Sequence, residues 1–201
     1  RRVAPPVLAG EKIIALGITE PSGGSDVAAL RTKAVRDSDA YIVNGSKMFI
    51  SAGEHDLAEN IIHIVLARLP DAPAGTRGIS LFVVPKHVLN ADLSLGQRNS
   101  VTCGSIEHKM GIRASATATL NFDGATGYLI GELNKGLEAM FTFMNTARIG
   151  TAIQGVCHAE LSYQGALPYA MERRSMRSLS GKKEPDQVAD ALIWHPDVRR
   201  M

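Results

Sequence analysis

Residues 15–30 read ALGITEPSGGSDVAAL, an apolar segment that enters a loop of small polar residues and then becomes apolar again. Two adjacent glycines, Gly23 and Gly24, lie in this loop, and glycine lets a backbone approach another molecule closely. Successive N–H groups beside them could converge on an anionic or polar ligand. The alternative is a polar turn that joins two strands, and the loop alone leaves both readings open. Two nucleotide-binding motifs are excluded, because the Lys-Ser/Thr pair of a P-loop and the glycine spacing of GxGxxG are both missing.

Most of the sequence that follows this loop predicts β-structure. Short segments rich in Val, Ile, Thr and Phe alternate with turn residues, and they cover 32–36, 40–51, 60–69, 78–85 and 117–124. Asn44-Gly45 predicts a hairpin turn, because both residues tolerate positive φ. Residues 71–78 predict a loop between two strands. Several short strands at this spacing indicate a small antiparallel sandwich or barrel.

The pattern changes near Asn134, where strand alternation stops. Apolar residues then recur at helical spacing and predict a long helix from about Gly136 to about Arg174, through Leu137, Met140, Phe141, Met144, Ala147 and Thr151. Pro168 is expected to kink or end this helix, because proline removes a backbone hydrogen bond. The predicted fold class is α+β: an antiparallel β-sandwich or barrel over residues 1–131, then the beginning of an α-helical bundle domain over residues 132–201.

Composition narrows the class of protein. The chain has 201 residues, 45% of them hydrophobic and 21% charged, and a net charge of +2. A nucleic-acid-binding protein usually has a stronger basic bias, so no nucleic-acid partner is expected. No run of about 18 apolar residues is present, so no membrane span is predicted, and the chain does not open on a signal sequence. Two distant cysteines without metal-ligand spacing favour reduced thiols, no metal site and a cytoplasmic location.

A second candidate site segment is KMFIS, residues 47–51. Side chains alternate along a strand, so Phe49 and Ser51 are expected on one face. An aromatic plate beside a hydroxyl suits a flat ring that forms hydrogen bonds. A core Phe with an edge Ser is the alternative, and this segment alone favours that alternative.

Several motifs, taken in order, resemble one family. The middle domain of the acyl-CoA dehydrogenases is similar to ITEPSGGSDVAALRTKA, YIVNGSKMFIS and HKMGIRASATATLNFD. The opening of that family's C-terminal helical domain is similar to the helix that carries MNTAR and to YAMERRSMRS after it. A long bacterial branch that includes the methylthiopropanoyl-CoA dehydrogenases is most similar to SAGEHDLAENI, LPDAPAGTRGISLFVVPK, VTCGSIEHKMGI and MRSLSG. The segment before about Lys47 is more similar to general bacterial fatty acyl-CoA dehydrogenases, so the acyl group stays open.

The resemblance implies that the chain binds FAD and part of an acyl-CoA. The implied cofactor-binding residues are Leu16, Ile18, Thr19, Gly24, Ser25, Phe49, Ile50 and Ser51, with Arg173 and Ser175 reaching the FAD of a neighbouring subunit. Donors at Thr19 would stabilise the negative charge of the reduced flavin. The implied substrate-binding residues are Ser25, Asn145 and Arg148. An Arg in such an apolar segment invites a charged partner, because a buried unpaired Arg is costly.

This site departs from the family pattern in several places. Phe49 stands where Trp is common, Ser51 where Thr is common and Asn145 where Asp is commoner. Met176-Arg177 stands where most members have Phe-Gly.

The resemblance also implies a reaction. A carboxylate base removes the α-proton of an acyl-CoA, a hydride passes from the β-carbon to the flavin, and a 2-enoyl-CoA forms. Electrons leave through an electron-transfer flavoprotein or a similar acceptor, and the full-length protein is a homo-oligomer. Some members place the base near Ala147, where FTFMNTAR carries no acid. We therefore predict no catalytic residue in this chain, which resembles a fragment. The alternatives are an acyl-CoA oxidase and a non-catalytic flavin-binding module related to the DNA-alkylation-response flavoproteins.

Overall fold

The computed structural model describes residues 4–92 and 94–201. The chain divides into two compact units, one up to Phe143 and the other Met144–Met201. The strands all lie in the first unit: β1 (Lys12–Gly17), β2 (Lys33–Asp37), β3 (Ala40–Ser51), β4 (Asn60–Arg68), β5 (Ile79–Pro85), β6 (His87–Leu89), β7 (Leu95–Arg98), β8 (Val101–Ile106) and β9 (Thr117–Ile130). The α-helices are α1 (Ala4–Leu8), α2 (Gly136–Glu172) and α3 (Pro196–Arg200).

The strands of the first unit pair in a closed circuit. The antiparallel pairs β2–β3, β3–β9, β9–β5 and β5–β4 run around it. The circuit closes where β2 meets β4 at Lys33 and Arg68. Strand β1 adds to β4, and β8 adds to β9. The predicted α+β class with a barrel is therefore confirmed.

Most of the barrel pairs are antiparallel, as predicted, but the sheet also contains a parallel pair that was not predicted. Strand β1 runs parallel to β4 over its whole length, from Lys12 beside Asn60 to Gly17 beside Val65. The β2–β3 hairpin lies between β1 and β4 in the sequence. This connection brings the chain back to the end of the sheet where β1 began, so that β4 can run in the same direction as β1. Parallel pairing needs a long connection of this kind, and the local sequence pattern does not show where such a connection ends.

The five predicted strands are all present, and their ends shift by one residue in most cases. Strand β9 is longer than predicted and reaches Ile130. The predicted loop at 71–78 contains a turn and a short 3₁₀ helix, Gly75–Gly78. Strand β1 was not predicted, nor were β6, β7 and β8. These last three have three to six residues each, too few for a clear period of alternation.

Asn44-Gly45 does not form the predicted hairpin turn. Both residues lie inside β3, and the β2–β3 turn is instead at Ser38, whose φ is 54°. The Asn44 side chain accepts a hydrogen bond from the N–H of Gly124, where β9 bulges. A Cβ at Gly45 would lie 2.4 Å from Thr32 Oγ1. Asn44 therefore stabilises the bulge in β9, and Gly45 allows the Thr32 segment to lie close to β3.

The barrel core forms from side chains that alternate inward along the strands. Tyr41 packs edge-on against Phe82, with ring centroids 5.0 Å apart. Buried aliphatic residues surround them, among them Val43, Ile61, Val65, Val84, Val101, Leu120 and Ala125. This core fixes β3 and β4, and so it also fixes the loops that leave them.

Helix α2 is anchored at its first residues. The N–H of Asn134 donates to Ser80 Oγ at 2.8 Å, and a Cβ at Gly136 would lie 2.4 Å from the Ser80 carbonyl carbon. The helix then runs for 37 residues to Glu172, close to the predicted end. Pro168 lies inside it and does not end it.

Candidate functional site

The loop at residues 20–26 begins with a tight turn. The N–H of Glu20 donates to Gly23 O at 3.0 Å, and the N–H of Gly23 donates back to Glu20 O at 3.1 Å. Pro21 and Ser22 are the two central residues, and proline favours the first of these positions. The Asp26 side chain accepts from the Ala28 N–H and so caps the short 3₁₀ helix that follows.

A buried ion pair lies under this turn. Lys47 Nζ is 2.7 Å from Glu20 Oε1, and the side chains are 0% and 3% exposed. The carboxylate also accepts from Thr32 Oγ1 at 2.5 Å, from the N–H groups of Thr32 and Arg31, and from Ser22 Oγ. A buried charge needs such partners, because its loss of hydration is costly.

The pair carries opposite charges at neutral pH. Burial lowers the pKa of Lys47 to about 8, although the Glu20 carboxylate opposes this effect. Burial alone would raise the pKa of Glu20, but the hydrogen bond and charge of Lys47 together with the hydrogen bonds from Thr32 and Arg31 outweigh it and hold that pKa below its ordinary value. At pH 7 the pair is therefore mainly an ammonium and a carboxylate.

Hydrogen bonds from β3 join the turn to the end of that strand. Lys47 Nζ donates to Ile18 O at 3.0 Å, and the N–H of Met48 donates to Thr19 O at 2.9 Å. Ile18 and Thr19 therefore lie beside the residues that follow Lys47. The structure brings the two predicted segments, the loop and KMFIS, into one site.

A β-bulge exposes Phe49. Lys47 pairs with Leu120 but Ile50 pairs with Ala118, so β3 has one extra residue at this point. Phe49 has a φ of 60°, in the left-handed region that is unfavourable for a residue with a Cβ, and its side chain is 56% exposed. The reading of Phe49 as a core residue is therefore wrong.

The bulge also decides the faces of the residues after it. Phe49 and Ser51 are both exposed, as the alternation of side chains predicts. Ile50, between them, is 2% exposed and belongs to the core. Its side chain cannot contact a ligand, so a cofactor contact at this position is limited to the backbone.

Several donors around the turn have no protein partner. Within the described residues, the N–H groups of Thr19, Gly24 and Ser25 and the hydroxyls of Thr19, Ser25 and Ser51 make no hydrogen bond. The residues that carry these donors are exposed or half-buried, and the apolar residues Leu16 and Ile18 are half-buried. A polar ligand could accept from them without breaking any hydrogen bond of the fold.

The two glycines of the turn have different roles. A Cβ at Gly23 would lie 2.7 Å from Asp26 O, so the turn itself needs glycine there. A Cβ at Gly24 would meet only Thr19 Cγ2, at an ordinary 3.5 Å. Packing within the protein therefore does not require glycine at position 24. The absence of a side chain there leaves open space beside the unpaired donors.

The other predicted site residues lie in the second unit. Asn145 and Arg148 are on α2, and both are exposed. Arg148 lies on the helix surface in this chain, and a charged partner for it stays a prediction.

Arg173 and Ser175 follow the end of α2 and are also exposed. The Ser175 N–H donates to Asp190 O, and its carbonyl accepts from His195 Nε2 at 2.9 Å. The buried Asp190 carboxylate accepts from the Ser178 N–H at 2.9 Å, and that bond lowers its pKa. This segment therefore has a defined backbone, from which both predicted side chains project.

Sequence reasoning missed the Glu20–Lys47 pair. One signal was available: Tyr41, Val43 and Lys47 share the odd positions of β3, and the first two are apolar. A lysine on the inward face of a strand indicates a buried acidic partner. The identity of that partner required the fold.

Among the described residues, no helix is both long and apolar enough to cross a membrane. The same residues contain no cluster of three or more His, Cys, Asp or Glu side chains that could hold a metal ion.

Fold and site together define a β-barrel domain with an exposed turn that carries unpaired hydrogen-bond donors, followed by a long helix. The family model of the acyl-CoA dehydrogenase middle domain matches residues 15–125. The 3-methylmercaptopropionyl-CoA dehydrogenase of Ruegeria pomeroyi is 51% identical over 92% of this chain and 31% of its own length. A butyryl-CoA dehydrogenase of Syntrophomonas wolfei is 41% identical over 100% of this chain and 34% of its own length.

A solved acyl-CoA dehydrogenase from Geobacillus kaustophilus has the same fold. Its TM-score is 0.76 at 30% identity, over 99% of this chain and 47% of that one. This chain belongs to the acyl-CoA dehydrogenase family. It spans about a third of the length of the two curated relatives. The resemblance to the branch that includes the methylthiopropanoyl-CoA enzymes is confirmed.

Proposed function

We propose that the protein to which this chain belongs is an FAD-dependent acyl-CoA dehydrogenase that converts an acyl-CoA thioester to a 2-enoyl-CoA. The observation that carries the proposal is the site itself. Hydrogen bonds from Lys47 and Met48 hold Ile18 and Thr19 next to the part of β3 that carries the exposed ring of Phe49. The same turn continues to further unpaired donors at Gly24 and Ser25. A flat ring with polar edges and a phosphate tail matches this combination of surfaces. Family membership supports the same ligand.

The residues of the chain fit FAD in two parts. Leu16, Ile18 and Phe49 offer apolar surface to the flavin ring, and Thr19 and Ser51 offer donors to its edge. Gly24 and Ser25 offer N–H groups to the ribityl and phosphate portion. When bound, FAD supplies an acceptor for the hydride that leaves the β-carbon of the substrate.

The protein's own contribution is electrostatic and steric. The N–H and hydroxyl of Thr19 would stabilise negative charge on the reduced ring, because donors that are already fixed in place need no reorganisation. Phe49 would cover the ring and exclude water. Arg173 and Ser175 would meet the FAD of a second subunit in a homo-oligomer.

The proposed substrate residues are Ser25, Asn145 and Arg148. The acyl groups named for the two relatives, 3-methylmercaptopropionyl and butyryl, are the first to test. The proposed electron acceptor is an electron-transfer flavoprotein or a similar protein. We assign the catalytic carboxylate to no residue of this chain. Free thiols at Cys103 and Cys157 support a cytoplasmic location.

The test uses the full-length protein, purified and assayed with each acyl-CoA and an artificial electron acceptor. We expect a yellow protein with flavin absorbance that forms enoyl-CoA. Hydrogen peroxide formed at the rate of product would indicate an oxidase instead. Bound flavin without turnover of any acyl-CoA would indicate the non-catalytic module, and a folded protein that cannot bind FAD would overturn the proposal.

A matched pair of glycine substitutions tests the site within that protein. Gly24→Ala adds a methyl group that the fold accommodates, and Gly111→Ala adds one where nothing lies within 4 Å. Both variants should keep the wild-type unfolding temperature. Only Gly24→Ala should weaken FAD binding, by roughly tenfold, because a lost contact of about 1.4 kcal/mol has that effect. Equal FAD affinity in the two variants would contradict this placement of the ligand.

A further inference from the structure

The Glu20–Lys47 pair is the only link between the turn and β3 that uses side-chain charge among the residues described. It lies below the surface and does not itself reach the ligand side of the turn, since both side chains are almost fully buried. Its contacts run to Ile18 O and Ser22 Oγ, on either side of Thr19, and to the N–H groups of Arg31 and Thr32, beyond Gly24 and Ser25. A role in positioning those donors follows from this arrangement.

Lys47 holds the chain on both sides of Thr19. Its ammonium group holds Ile18 O at 3.0 Å and Glu20 Oε1 at 2.7 Å, so it bridges the residues on both sides of Thr19. Thr19 O is held by the Met48 N–H, one residue along β3. Thr19 is thus fixed at three consecutive points of the chain, and its own N–H and hydroxyl stay unpaired.

Glu20 holds the far end of the same loop. The carboxylate holds the N–H groups of Arg31 and Thr32, eleven and twelve residues further along the chain. The segment between Glu20 and Arg31 contains Gly24 and Ser25, which carry the other unpaired donors. The carboxylate therefore closes the loop that carries them at both ends.

We propose that Glu20 and Lys47 are positioning residues for FAD: the buried pair sets the spacing of the Thr19, Gly24 and Ser25 donors relative to the β3 bulge at Phe49. This inference rests on the proposed function. Neither residue touches the cofactor. Their effect is on the geometry of the groups that do.

The test compares three variants of the full-length protein with the wild type. Glu20→Gln keeps the shape of the side chain and removes the charge. Lys47→Met removes the ammonium group, and the double variant removes both charges and leaves no unpaired buried ion. The double variant is the decisive one if a single variant does not fold, because a neutral pair of similar volume is far better tolerated than half of an ion pair.

The readouts are the dissociation constant of FAD and the visible circular dichroism of bound flavin, which reports the surroundings of the ring. We expect each folded variant to bind FAD about tenfold or more weakly, as a lost hydrogen bond to a charged group would do. The flavin spectrum should also change. Glu20→Asp, which keeps the charge but is shorter, should recover part of the affinity lost in Glu20→Gln.

A structural control separates positioning from general loss of stability. Asn99 is 7% exposed, and its side chain holds Pro85 O and both backbone groups of Thr126 in another part of the barrel. Asn99→Ala should lower the unfolding temperature at least as much as the double variant and leave the flavin spectrum unchanged.

Two outcomes would overturn the inference. One is a double variant that binds FAD with wild-type affinity and spectrum. The other is an Asn99→Ala variant that changes the flavin spectrum in the same way. A wild-type protein that binds no FAD would instead contradict the proposed function, so the two failures are distinguishable.

Discussion

Phe49 combines an unfavourable backbone with an exposed ring. A φ near 60° costs a residue with a Cβ about 1–2 kcal/mol, and exposure of the ring gains nothing for the isolated fold. Strained residues of this kind persist where the surrounding structure fixes them, and they cluster at ligand sites. We therefore attribute the strained bulge at Phe49 to the ligand contact that we propose for its ring.

Phe49→Gly should separate the two effects. Glycine adopts the positive φ without strain, so the free energy of unfolding of the FAD-free protein should not fall. FAD affinity should fall roughly two- to tenfold, because an aromatic contact contributes about 0.5–1.5 kcal/mol beyond its buried area. Thermal unfolding and a fluorescence titration with FAD measure the two quantities.

Ser38→Gly is the matched control for this prediction. Ser38 also has a positive φ, 54°, but it lies in the β2–β3 turn. Its substitution should leave FAD affinity at the wild-type value. A Phe49→Gly protein that loses stability and keeps full FAD affinity would show that the ring serves the fold instead.

At the scale of elements, β3 carries most of the site. Its first half pairs with β2 and β9 in the ordinary way, and two irregularities then change its course. The first is the bulge of β9 at Gly124, which Asn44 caps; the second is the bulge of β3 itself between Lys47 and Ile50. Between them, Gly45 lets Thr32 approach closely enough to hydrogen-bond Glu20.

Gly45→Ala should disturb this approach. The new Cβ would lie 2.4 Å from Thr32 Oγ1 and 2.9 Å from Thr32 Cα, at a φ of 153°. We expect a loss of about 1–3 kcal/mol in the free energy of unfolding, which is typical of overpacking, and weaker FAD binding as Thr32 moves away from Glu20. Chemical denaturation of the FAD-free protein and a FAD titration measure both effects.

Gly111→Ala again provides the comparison, because a Cβ there meets nothing within 4 Å. It should change neither quantity. A Gly45→Ala variant as stable as Gly111→Ala would mean that β3 and the Thr32 segment can separate without loss, and that the close approach is unimportant.

At the scale of the molecule, α2 exposes much more apolar surface than a helix usually does. The predicted apolar face at its start is partly covered, since Met140 is 6% exposed. The surface that stays exposed lies further along, where Ile149, Ile153, Val156 and Tyr163 recur at helical spacing on one side. Several exposed side chains of this size cost several kcal/mol at about 25 cal/mol per Å².

The 201-residue chain, produced by itself, is therefore expected to self-associate. Size-exclusion chromatography with light scattering should show dimers or larger species that increase with concentration. Ile153→Glu should shift the population towards monomer, because it places a charge in the centre of the apolar stripe. Gln154→Glu adds the same charge beside the stripe and should leave the association unchanged.

A chain that stays monomeric at every concentration would contradict this expectation. Equal association of the Ile153→Glu and Gln154→Glu variants would show that another surface is responsible.

The sequence by itself determined the elements and the family. The alternation of apolar residues predicts five of the strands, and helical spacing predicts α2 almost to its last residue, because these patterns depend on neighbours within one or two turns. The turn from Glu20 to Gly23 was also readable, since Pro and Gly restrict the local backbone. The resemblance of ITEPSGGSD and its companions to one family needed no structure.

Only the tertiary structure decided how these elements meet. Lys47 is 27 residues from Glu20 in the chain, and no local period connects them. The bulge that exposes Phe49 and buries Ile50 arises from the register between β3 and β9, and the parallel pairing of β1 with β4 depends on the path of everything between them. Each of these features is a contact between residues distant in sequence, so it follows from the closed barrel and not from any local pattern.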